Sequence, residues 1–108
     1  MGKVASISYT RAGTARRSGR GLSMEISGAL YFITPDDIPA LMIHHPVDIV
    51  DQGGEREGTA WLSPILDSRK RDLTALIRQR LYVVGCRDLS RILNGCSQTA
   101  PVKEYEPV

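Results

Sequence analysis

The clearest alternation of apolar and polar residues lies between Gly21 and Thr34, in the stretch GLSMEISGALYFIT. Every second residue from Leu22 to Ile26 is apolar, and after Ser27-Gly28 a run of aromatic and branched residues follows. Such a period of two is typical of a half-buried strand, and a Ser-Gly pair suits a two-residue turn. The pattern predicts a β-hairpin. One long strand with a bulge at Gly28 is the alternative, because the apolar residues on both sides of Gly28 would then share a face.

Three further segments have the composition of strands. The stretch from Val4 to Thr10 alternates apolar and polar residues, which predicts one half-buried strand. Two more strands are predicted over Val47–Asp51 and Thr59–Pro64. The polar, glycine-rich connection between these two is short, so we expect them to be antiparallel neighbours.

A short helix is predicted after the hairpin, in the stretch TPDDIPALMIHHP. Asp37 is the favoured N-cap, because Pro39 then falls in the first turn, where its missing N–H costs nothing. Ile38, Leu41 and Met42 form the apolar stripe of this helix. We expect the helix to end before Pro46.

The last third of the chain predicts a pair of helices. Asp67 or Ser68 can cap a helix that runs to about Val83, with an apolar stripe at helical spacing and basic residues around it. A second short helix is predicted over Arg87–Asn94, with Gly95 as its C-cap. A helix-turn-helix motif is disfavoured, because the connection is longer and more apolar than the tight turn of that motif.

These elements predict an α+β fold, with a small antiparallel β-sheet or open barrel of about five strands. One short inserted helix follows the third strand, and the C-terminal helix pair packs on the sheet. A chain of 108 residues with 42% apolar residues is large enough for one domain with a real core. We place the domain at residues 1–96 and expect 97–108 to be an extended or frayed tail.

Charge is segregated along the chain, although the formal net charge is only +2. The first 21 residues hold five bases and no acid, residues 22–68 hold eight acids against Arg56 alone, and residues 69–93 are basic again. The loop 11–21 is rich in arginine and glycine, a composition that suits contacts with a phosphate backbone. The candidate nucleic-acid-binding residues are Arg11, Arg16, Arg17, Arg20, Arg69, Lys70 and Arg71.

Two functions are therefore expected from the charge pattern. The first is a small, non-catalytic, nucleic-acid-associated or regulatory protein that contacts DNA or RNA through phosphates. The alternative is a protein-interaction or assembly module in which the basic and acidic regions serve subunit contacts, and a homodimer is expected. An enzyme is disfavoured, because the sequence offers no nucleophile-base pair, no cofactor motif and no sign of a small-molecule substrate.

Neither histidines nor cysteines predict a metal site. His44 and His45 are adjacent and diverge, while Asp48 and Asp51 should point to opposite faces of a strand, so no three ligands converge. Cys86 and Cys96 are expected to be buried thiols that fill core space. No cofactor is expected. Trp61, the single tryptophan, is interpreted as a core or interface anchor, with base stacking as the alternative.

The segment Ile33-Thr34-Pro35-Asp36-Asp37-Ile38, followed by Leu41, resembles the strand-to-helix junction of swapped-hairpin, AbrB-like DNA-binding proteins. The likeness covers about ten residues, and Thr34 and Pro39 depart from the usual pattern. It is a likeness of shape, not a family assignment. No apolar run reaches the roughly 20 residues that span a bilayer, and the N-terminus has no secretory leader, so a cytoplasmic protein is expected.

Overall fold

The computed structural model describes residues 5–10, 20–63 and 71–105. Its strands are β1 Ala5–Thr10, β2 Gly21–Ile26, β3 Ala29–Ile33, β4 Val47–Val50, β5 Arg56–Ser63, β6 Asp72–Ile77, β7 Arg80–Val84, β8 Thr99–Pro101 and β9 Lys103–Tyr105. Its helices are a single 3-10 turn Pro35–Asp37, α1 Ile38–Met42 and α2 Cys86–Leu93.

The nine strands form one antiparallel sheet in the order β8-β1-β2-β3-β4-β5-β6-β7-β9. Only Val102 separates β8, which pairs with β1, from β9, which pairs with β7. The backbone N–H of Val102 donates to the carbonyl of Ala5 at 3.1 Å, so the ladder to β1 continues through this residue. The last strand segments thus join the two edges, and the sheet is nearly closed and barrel-like. These strands lie in the stretch that the sequence analysis assigned to a tail.

The core lies inside this sheet. Each strand from β1 to β7 contributes inward residues, and the largest fully buried apolar side chains are Ile7, Leu22, Met24, Ile33, Leu41, Ile49, Leu73 and Val84. Leu41 of α1 and Leu89 and Ile92 of α2 belong to the same cluster, so both helices pack onto the barrel. Burying a large aliphatic side chain contributes about 1.5 to 3 kcal/mol, which makes this cluster the main source of stability.

The predicted hairpin over 21–34 is confirmed. β2 pairs with β3, and Ile26 faces Ala29 directly across the turn. Ser27 and Gly28 have φ values of 52° and 84°, and two successive positive φ angles are the mark of the type I′ turn that joins twisted strands. The pairing of Ile26 with Ala29 excludes the alternative of one bulged strand. The short helix after the hairpin is also present, although Met42 of its predicted stripe is exposed.

The predicted C-terminal helix pair is wrong, and so is the five-stranded sheet. Residues 72–84 form the hairpin β6–β7, in which Ile77 pairs with Arg80 across a turn at Arg78-Gln79. The apolar residues predicted to form one stripe of a helix, Leu73, Leu76 and Ile77 among them, instead lie on two faces of this hairpin. Leu73 and Ile77 are buried inside, whereas Leu76 is 41% exposed. Only the second short helix, α2, is present. The fold is mostly β, with nine strands and two short α-helices in the described parts of the chain.

The chain contains an internal repeat with a separation of 51 residues. Leu22 and Leu73 occupy the same place in β2 and β6, and Tyr31 and Tyr82 the same place in β3 and β7. The backbone follows the repeat as well. The first turn residues, Ser27 and Arg78, have φ values of 52° and 50°, and His44 and Gly95, just past α1 and α2, have φ values of 69° and 77°. The two halves therefore match in element order and in backbone conformation at these positions.

The sheet pairing follows the same repeat. Ile49 of β4 pairs with Gly58 of β5, and the equivalent residues Ala100 of β8 and Ile7 of β1 also pair, so each half lends its fourth strand to the first strand of the other. Neither half could close a sheet alone. This exchange explains why the C-terminal strands are required to complete the barrel.

Candidate functional site

Neighbouring strands run in opposite directions, so the connections between them fall alternately at two ends of the barrel. Thr10 pairs with Gly21 and Ser63 pairs with Asp72, which places both pairs at one end, here called the connection end. The hairpin turns Ser27-Gly28 and Arg78-Gln79 lie at the opposite end, here called the hairpin end. The two helices follow β3 and β7 at the connection end.

Of the seven basic residues predicted to bind nucleic acid, the structure describes Arg20 and Arg71. The repeat places them in equivalent positions, each directly before the first residue of β2 or β6, and both are exposed at the connection end. The repeat therefore brings one arginine from each half to the same end of the barrel. The other five, Arg11, Arg16, Arg17, Arg69 and Lys70, lie outside the described residues.

Arg20 has an aromatic neighbour. Its guanidinium carbon lies 5.9 Å from the ring centre of Tyr9, a half-buried residue of β1 that packs against the core. A cation held over a ring at this distance is stabilised by the negative face of the aromatic system. The pair places an aromatic ring and a cation side by side at the barrel rim, and both kinds of group can stack on a base.

The hairpin end holds a cavity of about 220 Å³. Its wall includes Tyr31 and Tyr82 together with Arg78 and Arg80, none of which the sequence analysis chose as a site residue. Arg78 binds Glu57 at 3.0 Å and Arg80 binds Glu104 at 3.3 Å. The hydrogen bond that Arg78 donates to Glu57, and then the charge of Glu57, raise the pKa of Arg78. Burial raises the pKa of Tyr82, the charge of Glu104 adds to this effect, and Arg80 opposes it.

A second cavity of about 260 Å³ adjoins the first and shares Tyr31 and Arg78 with it. It lies between β3 and the turn after β4. In that turn, one oxygen of Asp51 accepts hydrogen bonds from the backbone N–H groups of Gly53 and Glu55, at 2.8 and 3.0 Å. The carboxylate of Asp51 therefore shapes the turn. Among the described residues, no three His, Cys, Asp or Glu side chains are grouped so as to hold a metal ion.

The two cysteines differ from the expected buried pair. Cys86 is partly buried at the start of α2, and Cys96 is exposed beyond the end of that helix, so the prediction of two core thiols is wrong. Trp61 is partly buried on the outer side of β5, because the neighbouring Ala60 is the residue that enters the core. It is not a core residue, and its role as an interface anchor stays a prediction.

No family model matches the chain, and neither the curated proteins nor the solved structures contain a match to it. Across residues 5–10, 20–63 and 71–105, no helix combines the length and apolar character needed to cross a bilayer.

Proposed function

We propose that this protein is a non-catalytic nucleic-acid-binding or regulatory protein whose connection end contacts the phosphate backbone of DNA or RNA. The observation that carries the proposal is the equivalence of Arg20 and Arg71, which the internal repeat places at one end of the barrel. In the sequence, each of these residues is the last in a basic stretch, RRSGR in one half and RKR in the other. Guanidinium groups match phosphate oxygens in geometry and charge.

Single-stranded nucleic acid is the favoured form. The Tyr9–Arg20 pair provides an aromatic ring beside a cation, and unpaired bases stack on such surfaces with little regard to sequence. Tyr9 is held by its packing against the core, so little freedom is lost when a base stacks on it. Duplex binding would use the phosphate contacts without this stacking.

The salt dependence of binding tests the proposal. Fluorescence anisotropy with a labelled single-stranded RNA and a labelled duplex DNA, at about 50 and 200 mM salt, gives the slope of affinity against salt concentration. Because each phosphate contact on a single strand adds about 0.7 to this slope, Arg20→Gln with Arg71→Gln should lower it by about 1.4. The single change Tyr9→Leu should weaken single-strand binding more than duplex binding.

The matched control is the double variant Arg56→Gln with Arg80→Gln. It removes the same charge, but Arg56 begins β5 and Arg80 begins β7, so both changes fall at the hairpin end. An equal loss of slope in this control would mean that only net charge matters. Absence of binding to both probes at the lower salt concentration would refute the proposal.

A second function, an assembly module, is favoured by one observation. Ile43 is 68% exposed and follows the exposed Met42 at the end of α1, so two large apolar side chains face solvent at the connection end. Adjacent exposed apolar side chains could add buried area to a subunit contact. Sedimentation equilibrium of the wild type and of Ile43→Asp tests this alternative: a dimer that the change dissociates supports it, and a monomeric wild type refutes the expected homodimer.

A further inference from the structure

The cavity at the hairpin end is built from both halves of the internal repeat. Its lining consists of four pairs of positions that are related by the internal repeat: Ile26 with Ile77, Ser27 with Arg78, Ala29 with Arg80, and Tyr31 with Tyr82. Every lining residue therefore has its counterpart in the lining contributed by the other half. The cavity follows directly from bringing the ends of the two hairpins together.

The two walls differ in charge although their backbones are equivalent. The first half places the small side chains Ser27 and Ala29 where the second half places Arg78 and Arg80. The isoleucine and tyrosine pairs are buried and belong to the core cluster, so they form an apolar and aromatic floor. The cavity thus combines an apolar and aromatic floor with one wall of small side chains, here called the open wall, and one wall that carries Arg78 and Arg80.

Both arginines keep N–H donors that the ion pairs do not use. Arg78 directs one terminal nitrogen to the two oxygens of Glu57, and Arg80 directs one terminal nitrogen to Glu104. A guanidinium has five N–H donors, so these contacts leave most of them available. The two side chains are 71% and 53% exposed, which lets them turn toward a ligand at the cavity mouth.

We propose that the hairpin end binds a small aromatic carboxylate, with its ring on the tyrosine and isoleucine floor and its carboxylate on Arg78 and Arg80. A planar carboxylate matches the guanidinium fork and gains charge-assisted hydrogen bonds. The open wall formed by Ser27 and Ala29 leaves room for the ring to enter. This site is at the opposite end from the proposed nucleic-acid surface, and neither proposal depends on the other.

Tyr82 supports the same choice of ligand. Burial raises the pKa of its phenol, and the charge of Glu104 raises it further, so the phenol keeps its proton at neutral pH. A protonated phenol adds no negative charge to the cavity, and it can donate a hydrogen bond. A phenolate at this position would repel a carboxylate.

The carboxylates of Glu57 and Glu104 compete with the ligand for the same guanidinium groups, so changing these two residues gives a specific test of the site.

Benzoate is the probe, and benzamide, a neutral molecule of nearly the same shape, is the matched control. Binding is followed through backbone amide shifts in NMR titrations. We expect saturable shifts at Ile26, Ala29, Ile77 and Arg80 with benzoate, and affinity for benzamide about tenfold weaker, because it lacks the charge that strengthens these bonds.

Protein variants then test the roles of the charged side chains. Arg78→Gln and Arg80→Gln should each weaken benzoate binding about five- to tenfold through the loss of a charge-assisted bond. Glu57→Gln and Glu104→Gln should each strengthen it, because they release an arginine. Arg56→Gln, which removes an arginine bound to Asp48 outside the cavity, should leave the affinity unchanged.

Several results would overturn the proposal. These are no saturable shift with benzoate up to about 50 mM, equal affinity for benzamide, or shifts that map away from the hairpin end. Unchanged binding in both arginine variants, with folding verified by thermal melting, would also refute it. Weaker binding after the two glutamate changes would contradict the competition on which the site depends.

Discussion

A carboxylate oxygen of Asp72, the first residue of β6, accepts a hydrogen bond at 2.7 Å from the backbone N–H of Cys86, the first residue of α2. The N-cap of α2 is Gly85, which has no side chain to cap the helix. The exposed N–H groups of a first helical turn need an acceptor, and a negative group also suits the positive end of the helix dipole. A residue 14 positions earlier supplies it, so the strand and the helix are tied together.

Loss of this acceptor should destabilise the fold. Asp72 is 3% exposed, and we expect Asp72→Ala to lower the free energy of unfolding by about 1 to 2 kcal/mol, as for other lost caps. Asp72→Asn is the matched control, because its amide oxygen can still accept from Cys86, and it should cost clearly less. Urea denaturation followed by circular dichroism measures both. Equal losses would show that the charge matters more than the hydrogen bond.

The repeat predicts a stabilising change at His44. This residue has a φ of 69°, a left-handed conformation that disfavours side chains, while its counterpart Gly95 is a glycine with a φ of 77°. His44→Gly should therefore stabilise the protein by about 0.5 to 1 kcal/mol. The reciprocal change Gly95→Ala should destabilise it by about 1 kcal/mol. Thermal melting measures both, and a less stable His44→Gly protein would refute the strain argument.

A close approach of two backbones disfavours any side chain at Gly58 in β5. A Cβ atom at this position would clash with the carbonyl oxygen of Leu76 in the paired strand β6. Because a backbone carbonyl cannot turn aside, the strands would have to separate, and we expect Gly58→Ala to cost about 1 to 3 kcal/mol. In the control Gly53→Ala, which lies in the turn before β5, the nearest atom is a side-chain oxygen of Asp51 at 3.4 Å, and the loss should stay within about 0.5 kcal/mol. Urea denaturation of both variants gives the comparison.

The hairpin β2–β3 could be predicted from sequence, whereas its copy β6–β7 could not. The first has clear alternation and a Ser-Gly turn. The second turns at Arg78-Gln79, where both residues adopt positive φ although neither is glycine or asparagine, the residues that usually mark such a turn in a sequence. In β6 the alternation is also blurred, because Asp72 and Thr74 are buried on the face opposite Leu73 and Ala75. Nearly continuous burial gave apolar spacings that also fit a helix.

The repeat itself was the missed signal. Leu22, Ile26, Leu30 and Tyr31 recur as Leu73, Ile77, Leu81 and Tyr82, and comparison of the chain with itself would have transferred the hairpin to residues 73–84. Charge patterning alone selected Arg20 and Arg71 but gave no reason to place them at the same end of the barrel. No local sequence pattern could predict the cavity at the hairpin end, because its two walls are 51 residues apart in the chain and come together only when the barrel forms.

The raised pKa of Tyr82 predicts how stability changes at alkaline pH. Burial is the main cause, since it disfavours the phenolate in the folded state, where Tyr82 is 6% exposed. The folded protein therefore holds this proton more tightly than the unfolded chain does, in which a tyrosine titrates near pH 10. The stability that this difference contributes is fully present below about pH 10 and is lost as the pH rises through the raised pKa.

Tyr82→Phe should remove this particular loss, because phenylalanine has no proton to release. We expect the difference in unfolding free energy between the variant and the wild type to shift in favour of the variant from about pH 10 upward. Tyr105→Phe is the matched control, since it removes a phenol from a side chain that is 38% exposed and lies outside the cavity lining. Urea denaturation at a series of pH values from 8 to about 11.5 provides the measurement. Parallel profiles for Tyr82→Phe and the wild type would contradict a buried, protonated phenol at the hairpin end.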